Sequence, residues 1–497
     1  MKARMDDLIV ILPGITGSVL QKDGKDLWSP SFSAIFRAVT SLGQNLKQMA
    51  LRGDDPERDD LGDGIRAVRL IPDAVVVPGF FKIDGYSYTR LSKMIKSRFR
   101  VTEGSIDLSV NPYPPANFFE FPYDWRRDNR VAARLLGKVI ETRLAQWRAH
   151  VGGDAKVILL AHSMGGIVAR YYLEVMGGFQ DCKALFTFGT PYRGALKALN
   201  YLANGWRKSF VDLTTTIRSF TSVYQLLPIY KAVNTEGGYQ KAATLEIDGV
   251  DPNKALEALA FHNRIMDHVD SRVKDNQNSY ILWPVVGSQQ PTFQSAELVG
   301  GKLTATDALP AHVDPLLGHG DGTVPALSAI PHELSDLHRN YFCAETHSSL
   351  QCNEQVLNFV CQQLVDMQVR GLGKIRGSPS AVRHPPAGLS LCLDDAYTEG
   401  EPIDIRVRLL RDGGDLDDED WLRKHVSSLE AVVEPVDRSV PSVTLAMNRR
   451  ETDWGLTCED LSPGLYRIAV GPTRSGPLSP KHVHDLFQVA EELEREG

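Results

Sequence analysis

Short, unbroken apolar runs alternate with stretches of helical spacing along the first 365 residues of this 497-residue chain. The runs at Asp7–Leu12, Phe118–Phe121, Lys156–Ala161, Lys183–Phe188, Tyr280–Val286 and Asn340–Ala344 are rich in Val, Ile, Leu and Phe. Runs of that kind predict strands buried on both faces, as a parallel sheet requires. Between them, Val131–Ala149 carries apolar residues at 131, 135, 139, 140, 144 and 147, with Asp128 or Asn129 placed to cap it. Gly165–Val175 and Leu350–Leu364 predict two further helices, the first ended by Gly177-Gly178. The alternation predicts an α/β fold, a mostly parallel sheet flanked by helices.

Two stretches exceed what that core needs. Residues 28–84 separate the first strand from its helix, and residues 195–279 separate the strand ending at Phe188 from Tyr280–Val286. The first holds Phe32, Ile35, Phe36, Val39, Leu42 and Leu46 at helical spacing. The second holds Trp206, Phe210, Leu213, Ile217, Phe220, Tyr224 and Leu227 at steps of three and four. Each stripe predicts an amphipathic helix in a cap insertion. Its apolar face either packs on the cap and core or forms a lid that meets acyl chains or a membrane surface.

The pattern changes after residue 369. Residues 370–388 are rich in Gly and Pro and have no period, the composition of a linker. Residues 389–491 then alternate strands with turns: Leu389–Leu393, Ile403–Leu410, Leu429–Pro435, Ser442–Met447, Trp454–Cys458, Leu465–Val470 and Leu486–Val489. Ile403, Ile405, Val407 and Leu409 show the two-residue period of a half-buried strand. Seven short strands in about a hundred residues fit a small all-β, immunoglobulin-like sandwich. This unit carries no catalytic constellation, so it is either a binding module, with a protein partner as one option, or a packing partner for residues 1–369. The Gly/Pro-rich linker suggests that residues 1–369 hold a complete core of their own.

Composition is that of a globular chain, 42% hydrophobic and 24% charged. A net charge of −7 over this length argues against a nucleic-acid surface and against strong attraction to anionic membranes. The acidic runs at 53–60 and 415–420 read as solvated loops. No segment has the length of a membrane-spanning helix, and the start of the chain lacks the apolar stretch of an export signal. The six cysteines show no metal-ligand spacing and read as reduced, mostly buried thiols, so the expected location is cytoplasmic, with transient contact at a membrane surface left open. Neither a cofactor nor a metal is expected: there is no phosphate-binding loop and no zinc motif.

The chemistry centres on Lys156-Val-Ile-Leu-Leu-Ala-His-Ser-Met-Gly-Gly166, where an apolar strand breaks at a serine and a helix begins at once. That is the layout of a nucleophile elbow, with Ser163 at its tip and small residues, Ala161 and Gly165, two before and two after it. Downstream, Gly318-His-Gly-Asp-Gly-Thr-Val-Pro325 offers Asp321, and Asn340-Tyr-Phe-Cys-Ala-Glu-Thr-His347 ends a strand just before His347. Serine, acid and histidine in that order are the order of an α/β-hydrolase triad. A serine hydroxyl is a weak nucleophile at neutral pH. It needs a base, here His347, and the base needs an acid, here Asp321, to fix its tautomer. Asp314 lies nearby but lacks the flanking glycines of Asp321. The oxyanion of the reaction needs two backbone N–H donors. Met164 follows the nucleophile and supplies one. Ile15, in the turn that Pro13-Gly14 opens after the first strand, is expected to supply the other, with Thr16 as the alternative.

The turn Pro13 to Ser18, Tyr123-Asp-Trp-Arg126, the serine elbow, Phe188-Gly-Thr-Pro191, Ser222-Val-Tyr-Gln-Leu-Leu-Pro228, Gly320-Asp-Gly-Thr-Val-Pro325 and the His347 loop occur together and in this order. The set resembles the lecithin:cholesterol acyltransferase family of α/β-hydrolases, especially its soluble bacterial-type relatives, over roughly the first 365 residues. The resemblance implies an α/β-hydrolase fold with cap insertions, places Ser163, Asp321 and His347 on the family's triad positions, and puts Ile15 at its oxyanion turn. Asp124 and Trp125 read as structural residues at a strand end. The expected activity is that of a serine hydrolase on acyl esters of lipids, of lipase or phospholipase type. The alternatives are transfer of the acyl group to an alcohol, an amide or thioester substrate, or an interaction protein led by the β unit.

Overall fold

The computed structural model describes residues 2–28, 47–72, 74–77, 81–109, 114–208, 211–275, 277, 280–334, 341–368, 388–411, 414–415, 426–437, 441–450, 453–459, 461–474 and 479–490. The helical stripe at Phe32–Leu46, most of the Gly/Pro-rich segment 370–388 and the acidic run 416–420 lie outside them.

Six parallel strands form the central sheet: β1 (Leu8–Leu12), β2 (Phe118–Glu120), β3 (Val157–His162), β4 (Cys182–Phe188), β5 (Ile281–Ser288) and β6 (Tyr341–Ala344), in spatial order β6-β5-β4-β3-β1-β2. Every pairing in it is parallel. Every residue of β1 and β3 is buried, which is why they read as continuous apolar runs without alternation. Helix α1 (Gly85–Arg98) follows the first insertion. Helix α2 (Asn129–Val151) is capped by Asp128, whose carboxylate accepts from the Arg130 amide, and ends at left-handed Gly152. The buried stripe of α2 runs through Ala132, Leu136, Val139, Ile140, Leu144 and Trp147. Leu135, expected on that face, is exposed, because the helix is turned slightly from the stripe that apolar residues alone suggest.

Helix α3 (Met164–Arg170) opens directly on Ser163 and runs into a π-helical turn, Tyr171–Val175. Helix α4 (Leu196–Asn204) and helix α5 (Pro252–Lys274) lie in the second insertion. The stripe Trp206–Leu227 is not one helix. Arg207–Lys208 and Val211–Asp212 pair as a ribbon, and two short helices, Thr214–Ser219 and Thr221–Tyr224, are broken by extended backbone at Phe220. Trp206, Leu213, Ile217, Phe220, Tyr224 and Leu227 are nonetheless buried, so the spacing reports burial along a folded-back path. Helix α5 is held to α3 by a buried carboxylate: Glu174 accepts from Arg170 at 3.1 Å and from Arg272 at 2.7 Å. The acidic run at 53–60 is mostly exposed, as expected of a solvated loop, and Asp54 is the exception. Asp54 forms a buried pair with Arg127, and the Asp55, Arg58 and Asp59 carbonyls accept from the same guanidinium.

Helix α6 (Glu354–Gln368) closes this part of the chain; the helix expected from Leu350 begins as a short 3₁₀ turn that Asn353 separates from it. Beyond it are two five-stranded sheets. One contains β7 (Gly388–Cys392), β9 (Ile403–Arg411) and β12 (Trp454–Cys458). The other runs β8-β14-β13-β10-β11, from β8 (Ala396–Thr398), β10 (Leu429–Pro435), β11 (Val443–Ala446), β13 (Gly464–Pro472) and β14 (Val483–Ala490). Ile403, Ile405, Val407 and Leu409 from the first sheet and Ala431, Val433, Ile468, Val470 and Phe487 from the second share one core, separate from that of the parallel sheet.

Candidate active site

Ser163 sits where β3 ends and α3 begins, with φ 51° and ψ −125°. A positive φ at a residue with a side chain costs roughly 1–3 kcal/mol, and such strain persists only where the surroundings enforce it. Here they do. The Ser163 amide donates to the Phe188 carbonyl at 2.9 Å, and its own carbonyl accepts from Thr190 Oγ1 at 2.9 Å. Gly165 is small for a reason the sequence pattern did not identify: a Cβ there would lie 2.5 Å from the Pro13 carbonyl oxygen, so the first strand sets the limit.

The three residues expected to form a triad come together. His347 Nε2 is 2.9 Å from Ser163 Oγ, and His347 Nδ1 is 2.7 Å from Asp321 Oδ2. Ser163 is 5% exposed and Asp321 1%. Asp321 is fixed by the amides of Thr323 and Val324, both donating to Oδ1, which leaves Oδ2 for the imidazole. The His347 amide donates to the Asp321 carbonyl at 2.8 Å, so the two loops are also joined through their backbones. Glycine is required where the site is tightest: a Cβ on Gly189 would lie 2.8 Å from Asp321 Oδ2 and 2.9 Å from His347 Nδ1. Asp314 is elsewhere, capping a 3₁₀ turn by accepting from the Leu316 amide.

The turn after β1 lies against the serine; a Cβ on Gly14 would be 2.8 Å from Ser163 Cβ. Met164 is the first residue of its helix, so its amide is not taken by the helix ladder. In the turn, the Gly14 amide donates to Tyr88 Oη and the Gly17 amide to the Gly14 carbonyl. Pro13 has no N–H, so Ile15 and Thr16 hold the other two amides of the turn. Thr16 has φ 65°. Four aromatic side chains brace this turn. Tyr123 Oη donates to the Pro13 carbonyl, Trp28 Nε1 to that of Thr16, Trp125 Nε1 to that of Ser18, and Tyr88 takes the Gly14 amide. Tyr123-Asp-Trp-Arg126 therefore has the structural role expected of it, completed by buried Arg126 paired with Asp124 and Asp63.

Sequence reasoning missed His162. Its Nδ1 is 2.8 Å from Tyr88 Oη and its Nε2 is 3.0 Å from the His347 carbonyl. Burial, reinforced by the nearby His347 ring, pushes its pKa well below the ordinary imidazole value. Also missed was Glu345, a buried carboxylate two residues before His347 whose partners include His484 of β14. The only sequence signal for it is an acid closing an otherwise apolar strand. Cys343 is a buried free thiol. Among the described residues no group of His, Cys, Asp or Glu is arranged to hold a metal ion, and no helix is long and apolar enough to cross a membrane.

Residues 73–294 match the sequence profile of the lecithin:cholesterol acyltransferase family. The matched segment contains Ser163 and ends before Asp321. No curated protein matches the chain. Among solved structures, the Bacillus licheniformis lipase BlEst2 in propeptide form is similar at 11% identity and TM-score 0.36, covering 98% of this chain and 94% of that one. Phospholipase PlaB from Legionella pneumophila is similar at 10% identity and TM-score 0.26, covering 84% and 91%.

Proposed function

We propose that this chain, which carries the lecithin:cholesterol acyltransferase family pattern over residues 73–294, is a serine hydrolase of lipid acyl esters with an α/β-hydrolase catalytic unit. The observation that carries the reading is the hydrogen-bonded line from Ser163 Oγ through His347 to Asp321. In it His347 bears its proton on Nδ1, donated to Asp321, and offers the Nε2 lone pair to the serine hydroxyl. Ser163 Oγ attacks the acyl carbonyl while its proton passes to Nε2. The oxyanion is held by the Met164 and Ile15 amides. Collapse breaks the ester C–O bond, and the proton on Nε2 goes to the departing alcohol. Water, deprotonated by the same nitrogen, then attacks the acyl-enzyme and releases a fatty acid and free Ser163.

Transfer to an alcohol is the second reading. Ser163 is buried, and a site that excludes water favours an acceptor hydroxyl that arrives bound. The two share every step up to the acyl-enzyme. We read the two C-terminal sheets as an immunoglobulin-like sandwich. Tyr466 Oη donates to the Ser462 carbonyl four residues upstream, the pattern of a tyrosine corner, and this supports the assignment. The buried free thiols of Cys182 and Cys343 suit a reducing, cytoplasmic setting.

The test is incubation with mixed phospholipids and neutral esters, with and without a long-chain alcohol, followed by mass spectrometry. Release of fatty acid in both arms supports the hydrolase; a new ester of the added alcohol as the main product supports the transferase. Absence of acyl release from every ester would overturn both.

A further inference from the structure

The C-terminal β unit touches the catalytic part of the chain at the loop that carries His347 and at Gln290, whose backbone bridges to Asp321. Glu345 has a side chain with no exposure at all, and four N–H groups donate to it. Two come from its own neighbourhood: the Thr346 amide at 2.9 Å and Asn353 Nδ2 at 3.1 Å. The other two come from β14: the His484 amide at 2.9 Å and His484 Nδ1 at 2.8 Å. Thr346 Oγ1 completes the contact by donating to the His484 carbonyl at 2.7 Å. Strand β8 pairs only with Gln488–Ala490 of β14, so Glu345 and Thr346 occupy the same strand's His484 end. Just after β5, the Gln290 side chain donates to the Leu389 carbonyl at 2.8 Å and accepts from the Leu391 amide at 3.2 Å, as a neighbouring strand of β7 would. The Gln290 backbone in turn bridges to Asp321, its amide donating to the Gly320 carbonyl at 2.9 Å.

We infer that the β unit is part of the catalytic apparatus, with Glu345 and His484 as positioning residues that hold the His347 loop in register with Ser163. The inference rests on the triad reading above. Its physical basis is the cost of an under-partnered buried carboxylate. Without the His484 imidazole, Glu345 keeps three of its four donors, the backbone amide of position 484 among them, and the lost bond to a buried carboxylate closed to water is expensive. The loop relieves that cost by moving toward solvent. Thr346 and His347 move with it, and a displacement of about 1 Å at a catalytic group costs roughly a hundredfold in rate. Because the His347 amide is bonded to the Asp321 carbonyl, the movement reaches the acid as well.

The experiment uses the full chain and a soluble short-chain ester, which removes any effect of recruitment to a lipid surface. Glu345→Gln turns one acceptor into a donor facing other donors, and should lower kcat about thirtyfold with KM within about twofold. His484→Ala should lower kcat about tenfold. His484→Asn, whose amide nitrogen stands where Nδ1 stood, should recover most of that loss. The Ala/Asn pair decides the matter if Glu345→Gln does not fold. Loss in Ala with recovery in Asn, at matched melting temperatures, supports positioning. A kcat within twofold of wild type in both Glu345→Gln and His484→Ala, or equal loss in His484→Ala and His484→Asn, would overturn the inference. Failure of the triad reading looks different: wild type would then have no Ser163-dependent activity to lose.

Discussion

His162 donates its Nε2 proton to the backbone oxygen of His347, 3.0 Å away. A carbonyl can only accept, so this bond fixes the tautomer and leaves Nδ1 to accept from Tyr88 Oη. Tyr88 in turn accepts from the Gly14 amide. One neutral ring thus connects the turn beside Ser163 to the backbone of the candidate base. Tyr88→Phe removes the oxygen on which the Gly14 amide and His162 Nδ1 both depend. Unfolding by denaturant should show a loss of about 1–3 kcal/mol, and kcat should fall about tenfold or more. Wild-type values for both would mean that the chain of bonds is incidental.

The neutrality of that ring has a consequence for pH. His162 and His262 are both buried, and burial lowers both pKa values below the ordinary 6.5. Each binds a proton in the unfolded chain at a pH where it binds none in the fold. Stability is therefore present above pH 6.5 and lost as pH falls below it, by up to about 1.4 kcal/mol per pH unit for each group. Denaturation midpoints at pH 7.5 and 5.5 measure this. An unchanged or higher midpoint at pH 5.5 contradicts the assignment of neutral, buried imidazoles.

Gly166 has no room for a side chain. A Cβ there would lie 2.0 Å from Thr190 Oγ1, the hydroxyl that donates to the Ser163 carbonyl. Gly166→Ala should displace Thr190, destabilise the fold by roughly 1–3 kcal/mol and slow covalent modification of Ser163. Gly153, with open space around its Cβ position, is the control, and Gly153→Ala should leave both quantities unchanged. Equal behaviour of the two variants would show that the elbow is not held by this contact.

Asp321→Asn should lower kcat by roughly ten-thousandfold, because an amide at Oδ2 no longer selects the imidazole tautomer that accepts from serine. Asp314→Asn should change it by less than about twofold, since Asp314 only caps an exposed turn. Steady-state rates on one ester distinguish the two acids, and the reverse result would reassign the acid.

The parallel strands were legible because strands covered on both faces are apolar throughout, and the order of Ser163, Asp321 and His347 needed no structure. What the sequence hid is of two kinds. The stripe Trp206–Leu227 keeps helical spacing while the chain bends at Phe220, because burial, and not helix, is what spacing records. Helix α5 could have been found from its Asp251-Pro252 start, an N-cap followed by proline in the first turn. The pairings that support the site had no local signal. Tyr88 reaches His162 across 74 positions and His484 reaches Glu345 across 139, and only the folded sheet brings them together. The β unit, read from sequence as either a binding module or a packing partner, lies against the His347 loop and Gln290 for the same reason.

The most direct measurement of the central claim combines turnover with covalent labelling. The native chain is treated with a fluorophosphonate and digested, the modified residue is identified by mass spectrometry, and acyl-ester turnover is compared between wild type and Ser163→Ala. The account predicts modification at Ser163 alone and loss of turnover by at least about ten-thousandfold in the variant. Turnover within tenfold of wild type in Ser163→Ala, with no labelling of the native chain, would contradict it.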